Sequence, residues 1–264
     1  MLACRTREVV LHYAFDGPKD APVMVLANSL GSDLRIWDRV VAQLAGRFRF
    51  LRYDKRGHGL SEATPAPYLM DDHIGDLIGL LDALDINHAI VGGVSVGGMI
   101  AQGLAARQPK RVRGLVLCDT AHRIGDEALW DQRIRAIQEG GMVALADAIL
   151  ERWFTAAFHK YRADELALWR HMLVRTPIDG YTGTCAAIRD TDLGPETAKI
   201  GVPTLAVCGA EDGATPPDVV REMAAMIPKA RFNLIESAAH LPCIETPEIL
   251  SKMIADFVEE NDLG

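Results

Sequence analysis

Gly93-Val94-Ser95-Val96-Gly97-Gly98 is the segment of this chain whose residue types and spacing point most directly to chemistry. A serine in the pattern Gly-x-Ser-x-Gly can occupy a strand-to-helix turn too sharp for bulkier neighbours. Such a turn exposes its hydroxyl at the N-terminus of the following helix. The Val96 N–H would then face the negative charge that develops on a carbonyl oxygen attacked by Ser95. The chemistry this predicts is acyl transfer by a serine nucleophile. Serine needs a base to act at neutral pH, and the base needs an acid to orient it. Asp212, in Cys208-Gly-Ala-Glu-Asp-Gly, and His240, in Glu236-Ser-Ala-Ala-His-Leu-Pro, follow Ser95 in the order serine, acid, histidine. Each comes just after a β-like run, at the carboxyl end where open α/β sheets place their sites.

Other residues compete for these roles. Asp119 also ends an apolar run, and Glu211 adjoins Asp212. Asp212 is preferred because Gly209 and Gly213 leave its side chain room to point back over the sheet. His12, His58, His73, His88, His122, His159 and His171 read as structural or surface histidines. A second oxyanion donor is expected in the loop Asn28-Ser29-Leu30-Gly31-Ser32, from the Leu30 N–H. Arg56-Gly57-His58-Gly59 reads as a packed loop brace with no chemical role of its own.

These residues must be held by a scaffold, and the apolar pattern supplies one. Short β-rich runs at 8–15, 22–27, 49–53, 88–92, 112–118, 204–208 and 231–235 alternate with helical spacing at 68–84, 97–107 and 218–226. Alternation of this kind predicts a mostly parallel sheet with helices on both faces. Residues 121–190 break it. They contain no convincing strand and read as several helices, the pattern of a helical cap inserted into a core made of 1–120 and 191–264. The 264 residues, 49% hydrophobic and 24% charged, are enough for one such core. No repeat or linker marks a second independent fold.

The net charge of −8 disfavours nucleic acid and anionic membrane as partners. Residues 121–190 carry nine basic and ten acidic side chains, so nearly all of that charge lies outside them. The five cysteines are dispersed, without metal-ligand spacing, and no stretch reaches the roughly 20 apolar residues of a membrane span. A cytoplasmic protein with reduced thiols is the expectation.

Together, Asn28-Ser-Leu-Gly, Tyr53-Asp-Lys-Arg-Gly-His-Gly-Leu-Ser, Gly93-Val-Ser-Val-Gly-Gly, Gly209-Ala-Glu-Asp and Ala239-His resemble the α/β-hydrolase superfamily over nearly the whole chain. The resemblance implies an eight-stranded, mostly parallel sheet. Ser95 stands where the dehalogenases and epoxide hydrolases of that superfamily use aspartate. More narrowly, Leu26-Ala-Asn-Ser-Leu-Gly-Ser-Asp-Leu-Arg-Ile-Trp-Asp, Arg123-Ile-Gly, Trp130-Asp-Gln-Arg-Ile and Glu151-Arg-Trp-Phe-Thr resemble the 3-oxoadipate enol-lactonases of aromatic-compound catabolism. Asp119 departs from the asparagine expected there, which makes it a second acid to watch beside His240.

This resemblance implies opening of a five-membered enol-lactone bearing one free carboxylate, with no metal or organic cofactor. Arg133, Arg135 and Arg152 are candidates to read the carboxylate. Arg133 is preferred because it lies one helical turn from Trp130. Trp130, Trp153 and Phe154 are expected to wall the pocket. A carboxylesterase, a carbon–carbon bond hydrolase and a cofactor-free haloperoxidase (perhydrolase) would share the serine, acid and histidine. A lactone-binding receptor would keep them without rapid turnover.

Overall fold

The computed structural model describes residues 1–6 and 8–264. The strands are β1 (Leu2–Arg5), β2 (Val10–Asp16), β3 (Val23–Ala27), β4 (Arg49–Tyr53), β5 (Ala89–Val94), β6 (Val112–Cys118), β7 (Thr204–Gly209) and β8 (Ala230–Ile235). The α-helices begin with α1 (Asp38–Leu44), α2 (Met70–Ala83) and α3 (Val96–Arg107). Between β6 and β7 come α4 (Glu127–Gly140), α5 (Ala146–Trp153), α6 (Ala156–Tyr161), α7 (Ala163–Val174), α8 (Ile178–Arg189) and α9 (Gly194–Thr197). The last are α10 (Pro217–Met226), α11 (Pro242–Glu245) and α12 (Pro247–Glu260). Among the described residues no helix is long and apolar enough to cross a membrane.

Among the described residues the eight strands form one sheet in the order β1-β2-β4-β3-β5-β6-β7-β8. β1 pairs antiparallel with β2, and β2 with β4, while the remaining pairs are parallel. β1 carries no apolar run. It pairs with β2 at the sheet edge, and its residues are mostly exposed. β5 and β7, by contrast, are buried along their whole length. A parallel strand covered on both faces has no wet side, so it reads as a continuous apolar run with no alternation. β4 lies on one side of β3 and β5 on the other. That reversal of strand order opens a crevice at the carboxyl ends of β3 and β5.

The stretch between β6 and β7 is helical, without a strand. Asp126 starts α4 by accepting the Leu129 N–H at 2.8 Å, and Gly141, at φ +68°, ends it. α4 packs against α8, and α5 against α7.

The loop after β4 is fixed by a buried ion pair. Arg56 Nε and Nη2 reach the two oxygens of Asp76 on α2 at 2.6 and 2.8 Å, and both side chains are about 95% buried. Burial opposes the charge on each, so neither tolerates losing the other. Asp76→Ala is expected to destabilise the fold by about 3 kcal/mol, read as a lower urea midpoint. A change under about 1 kcal/mol would show that Glu8 and Asp72, which also approach Arg56, replace the lost partner.

Candidate active site

β5 ends at Val94 and α3 begins at Val96, so Ser95 alone makes the turn. Its φ of +59° and ψ of −123° are strained for a residue with a side chain. Close approach explains the flanking glycines. A Cβ on Gly93 would lie 2.2 Å from the Gly97 carbonyl carbon, and one on Gly97 would lie 2.5 Å from the Ala27 oxygen. The Ser95 N–H donates to Cys118 O at 3.0 Å, and Thr120 Oγ1 donates to Ser95 O at 2.6 Å, holding the turn from β6.

Ser95 lines a small cavity, about 100 Å³, with His240, Leu30, Trp130, Arg133 and Trp153. His240 follows β8, and its Nδ1 lies 2.9 Å from Asp212 Oδ2 after β7. With Nδ1–H committed to that carboxylate, neutral His240 presents Nε2 as an acceptor. Nε2 lies 3.5 Å from Ser29 Oγ, on the same cavity. Asp212 also accepts the Ala214 N–H at 2.7 Å, the Thr215 N–H at 3.1 Å and the Thr215 hydroxyl at 2.6 Å. Burial works against its charge, but His240 and these donors outweigh burial and hold the carboxyl below the ordinary aspartate value. Thr215 was not anticipated; the Asp-x-x-Thr spacing of a side-chain-capped turn was the signal for it.

Asp119, at the end of β6, is wholly buried. Its Oδ1 accepts the Gly209 N–H at 2.8 Å, and its Oδ2 finds no hydrogen-bond partner. Burial pushes this carboxyl well above the ordinary range, and the nearby Asp212 charge adds to the effect. Asp119, Cys208 and Asp212 bring ligand-type atoms within 4.8 Å of one another. All three are buried; Asp212 holds His240 Nδ1, and Asp119 Oδ1 accepts the Gly209 N–H.

Of the three candidate arginines, Arg133 and Arg152 reach the cavity and Arg135 is exposed outside it. The Arg133 guanidinium lies 4.9 Å from the Trp130 ring centre, and Trp130 is fixed by its own N–H to Ile124 O at 2.6 Å. Burial raises the Tyr181 hydroxyl on α8, a cavity residue that no sequence spacing marked, and the Arg133 charge opposes that rise. Arg152 donates to Gly213 O at 3.0 and 2.8 Å, tying α5 to the loop that carries Asp212. Burial and the neighbouring Arg133 charge both depress Arg152. Neither arginine has a carboxylate within 4.0 Å among the described residues. Both also border a second pocket of about 200 Å³ between α4 and α5. Phe154 is not a cavity wall; it stacks on Phe158 at 4.2 Å inside the helical segment.

The remaining histidines are placed elsewhere. His12 pairs with Asp54 at 2.8 Å, His73 meets Thr184 Oγ1 at 3.2 Å, and His159 faces Leu150 O at 3.1 Å. His58 accepts the Gly31 N–H at 2.9 Å, behind the Leu30 loop.

Residues 22–247 match the family described as alpha/beta hydrolase fold. Two 3-oxoadipate enol-lactonases of Acinetobacter baylyi are similar over most of their length. Number 1 is 34% identical, covering 94% of this chain and 93% of that protein. Number 2 is 31% identical, covering 94% and 92%. The crystal structure of the enol-lactonase from Burkholderia xenovorans LB400 superposes with a TM-score of 0.95, at 41% identity, covering 98% of this chain and 100% of that one.

Proposed function

The chain belongs to the α/β-hydrolase family, and from that membership we propose that it is an enol-lactonase, opening 3-oxoadipate enol-lactone to 3-oxoadipate in the catabolism of aromatic compounds. The observation that carries this reading is one small cavity lined by a strained serine, by His240 and by two arginines that have no carboxylate partner among the described residues. The similar enol-lactonases support it.

Ser95 attacks the lactone carbonyl, and His240 Nε2 takes its proton. Asp212 stabilises the imidazolium that forms. The Leu30 and Val96 N–H groups bind the oxyanion. Collapse breaks the bond to the ring oxygen, which takes the proton from His240 and leaves as an enol, a better leaving group than an alkoxide, and the acyl-enzyme forms with His240 neutral again. Until that enol becomes a ketone, the tethered leaving group can re-close. Ketonisation makes opening one-way, and water attack through His240 then releases the product. The residues suffice without a metal or organic cofactor. The helices α4 to α8 act as a cap whose near-neutral charge lets an anionic lactone approach a chain of net charge −8.

The substrate carboxylate sits against Arg133, with Arg152 alongside. A charge-assisted contact of this kind contributes about 1.5–3 kcal/mol, so Arg133→Ala is expected to raise KM for the anionic lactone by roughly 10- to 100-fold. A neutral aryl ester should change little. Equal effects on both substrates would show that Arg133 only supports the fold. The reading as a whole is tested by generating the enol-lactone in situ and following its loss spectroscopically beside an aryl ester and a vinylogous diketone. Preference for the lactone is expected, and no acceleration of its loss would overturn the proposed substrate.

A further inference from the structure

The loop after β4, which the sequence marks only as a brace, also touches the peptide that faces the cavity. Lys55 is 1% exposed, and its Nζ donates to the Ser29 carbonyl at 2.6 Å. The Ser32 hydroxyl and N–H donate to the same oxygen at 2.9 and 3.2 Å. On the far side of Leu30, His58 Nε2 accepts the Gly31 N–H at 2.9 Å, while His58 Nδ1 lies 3.1 Å from Arg56 O. Leu30 is therefore gripped on both sides by neighbouring residues of one loop, itself anchored through Arg56 to Asp76.

The Ser29 carbonyl and the Leu30 N–H belong to one trans peptide, so they point in opposite directions. With Lys55 holding the carbonyl, the N–H is turned away from Lys55. Among the described residues it donates to no protein acceptor. Leu30 borders the cavity with Ser95 and His240. Hydrogen bonds in series reinforce one another: a donor on the carbonyl draws electron density through the peptide and makes its N–H a stronger donor. Burial opposes charge on Lys55 and the nearby Asp54 and Asp33 favour it; the amino group donates an N–H in either state.

We propose that Lys55 is a positioning residue for the reaction, aiming and polarising the Ser29–Leu30 peptide so that the Leu30 N–H meets the oxyanion formed at Ser95, with His58 fixing the other end of the segment. This rests on the serine-hydrolase reading above. It accounts for a buried amine whose one hydrogen-bond acceptor among the described residues is a backbone oxygen of the loop facing the cavity.

The oxyanion exists only after attack, so loss of Lys55 acts on the transition state and spares ground-state binding. Lys55→Met, one atom shorter, keeps most of the unbranched stem and removes the donor. Removing a whole oxyanion donor lowers kcat about 10²- to 10³-fold. Weakening one through its peptide is expected to lower kcat roughly 10-fold, with KM changed less than about twofold. Affinity for a trifluoromethyl ketone, whose adduct with serine carries an oxyanion, should fall by the same factor. Lys55→Gln, which keeps an N–H on a shorter side chain, should recover part of the loss, and it decides the matter if Lys55→Met does not fold. The proposal is overturned if kcat, corrected for the folded fraction, stays within twofold of wild type, or if the loss lies in KM with ketone affinity unchanged. Ser95→Ala separates the two ideas. Activity surviving in Ser95→Ala removes the serine-hydrolase reading itself, whereas a dead Ser95→Ala beside an unaffected Lys55→Met removes only the role of Lys55.

Discussion

Ser95→Ala is expected to lower kcat on the enol-lactone by at least about 10⁴-fold, towards the roughly 10⁶-fold seen when the nucleophile of a serine hydrolase is removed. Nothing else on the cavity replaces it. Ser29 carries a hydroxyl 3.5 Å from His240 Nε2, but it lies in the loop after β3 and not at the strained turn into α3 that Ser95 makes. The fold should survive, because alanine is smaller than serine and the turn is held by backbone groups and Thr120. The measurement is spectroscopic loss of lactone generated in situ, with unfolding midpoints compared in parallel. A folded Ser95→Ala protein that retains more than about one-hundredth of the wild-type rate would mean that water, and not Ser95, attacks the lactone.

Asp212→Asn comes second, with an expected loss in kcat of about 10⁴-fold. Asparagine can satisfy Nδ1 in the wrong tautomer and cannot stabilise the imidazolium. Asp119 does not step in. It is wholly buried, its Oδ1 is taken by the Gly209 N–H, and burial together with the Asp212 charge pushes its carboxyl well above the ordinary range. Asp119→Asn should therefore leave kcat within about threefold.

Stability is where Asp119 should show itself. An aspartate whose folded pKa is raised above its unfolded value of about 4 stabilises fully below that value. That stability is lost as pH rises towards the folded pKa, because unfolding then releases a proton. Urea midpoints of the wild type should fall as pH rises above about 4 by a component that Asp119→Asn removes. Identical pH profiles for the two proteins would show that Asp119 is ionised in the folded state.

Legibility from sequence varied with how local the cause was. The elbow at Gly93–Gly97 was readable because its glycines answer to backbone collisions within a few residues, and Ala27 comes close enough to demand the second of them. The buried strands were readable because lack of water on both faces leaves a continuous apolar run. β1 was not, since an exposed edge strand pairs through its backbone and needs no particular side chains. Tyr181 was invisible because α8 is brought to the cavity by packing on elements far from it in the chain, α4 and the loop carrying Gly31 among them. Lys55 was read as part of a brace, and only the contact with Ser29 O gives it a further task.

The sequence by itself determined the serine, its turn, the chain order of acid and histidine, and the alternation that builds the sheet, all of which follow from short-range sterics and hydrophobic period. It preferred Asp212 to Asp119, and Arg133 to Arg135 and Arg152, on local spacing alone. Tertiary structure decided between them, placing Asp212 Oδ2 2.9 Å from His240 Nδ1 and turning Arg133 and Arg152, but not Arg135, towards the cavity. The reason is physical. The charge and role of a carboxyl or guanidinium depend on which groups replace its water, and those groups come from elements far apart in the chain.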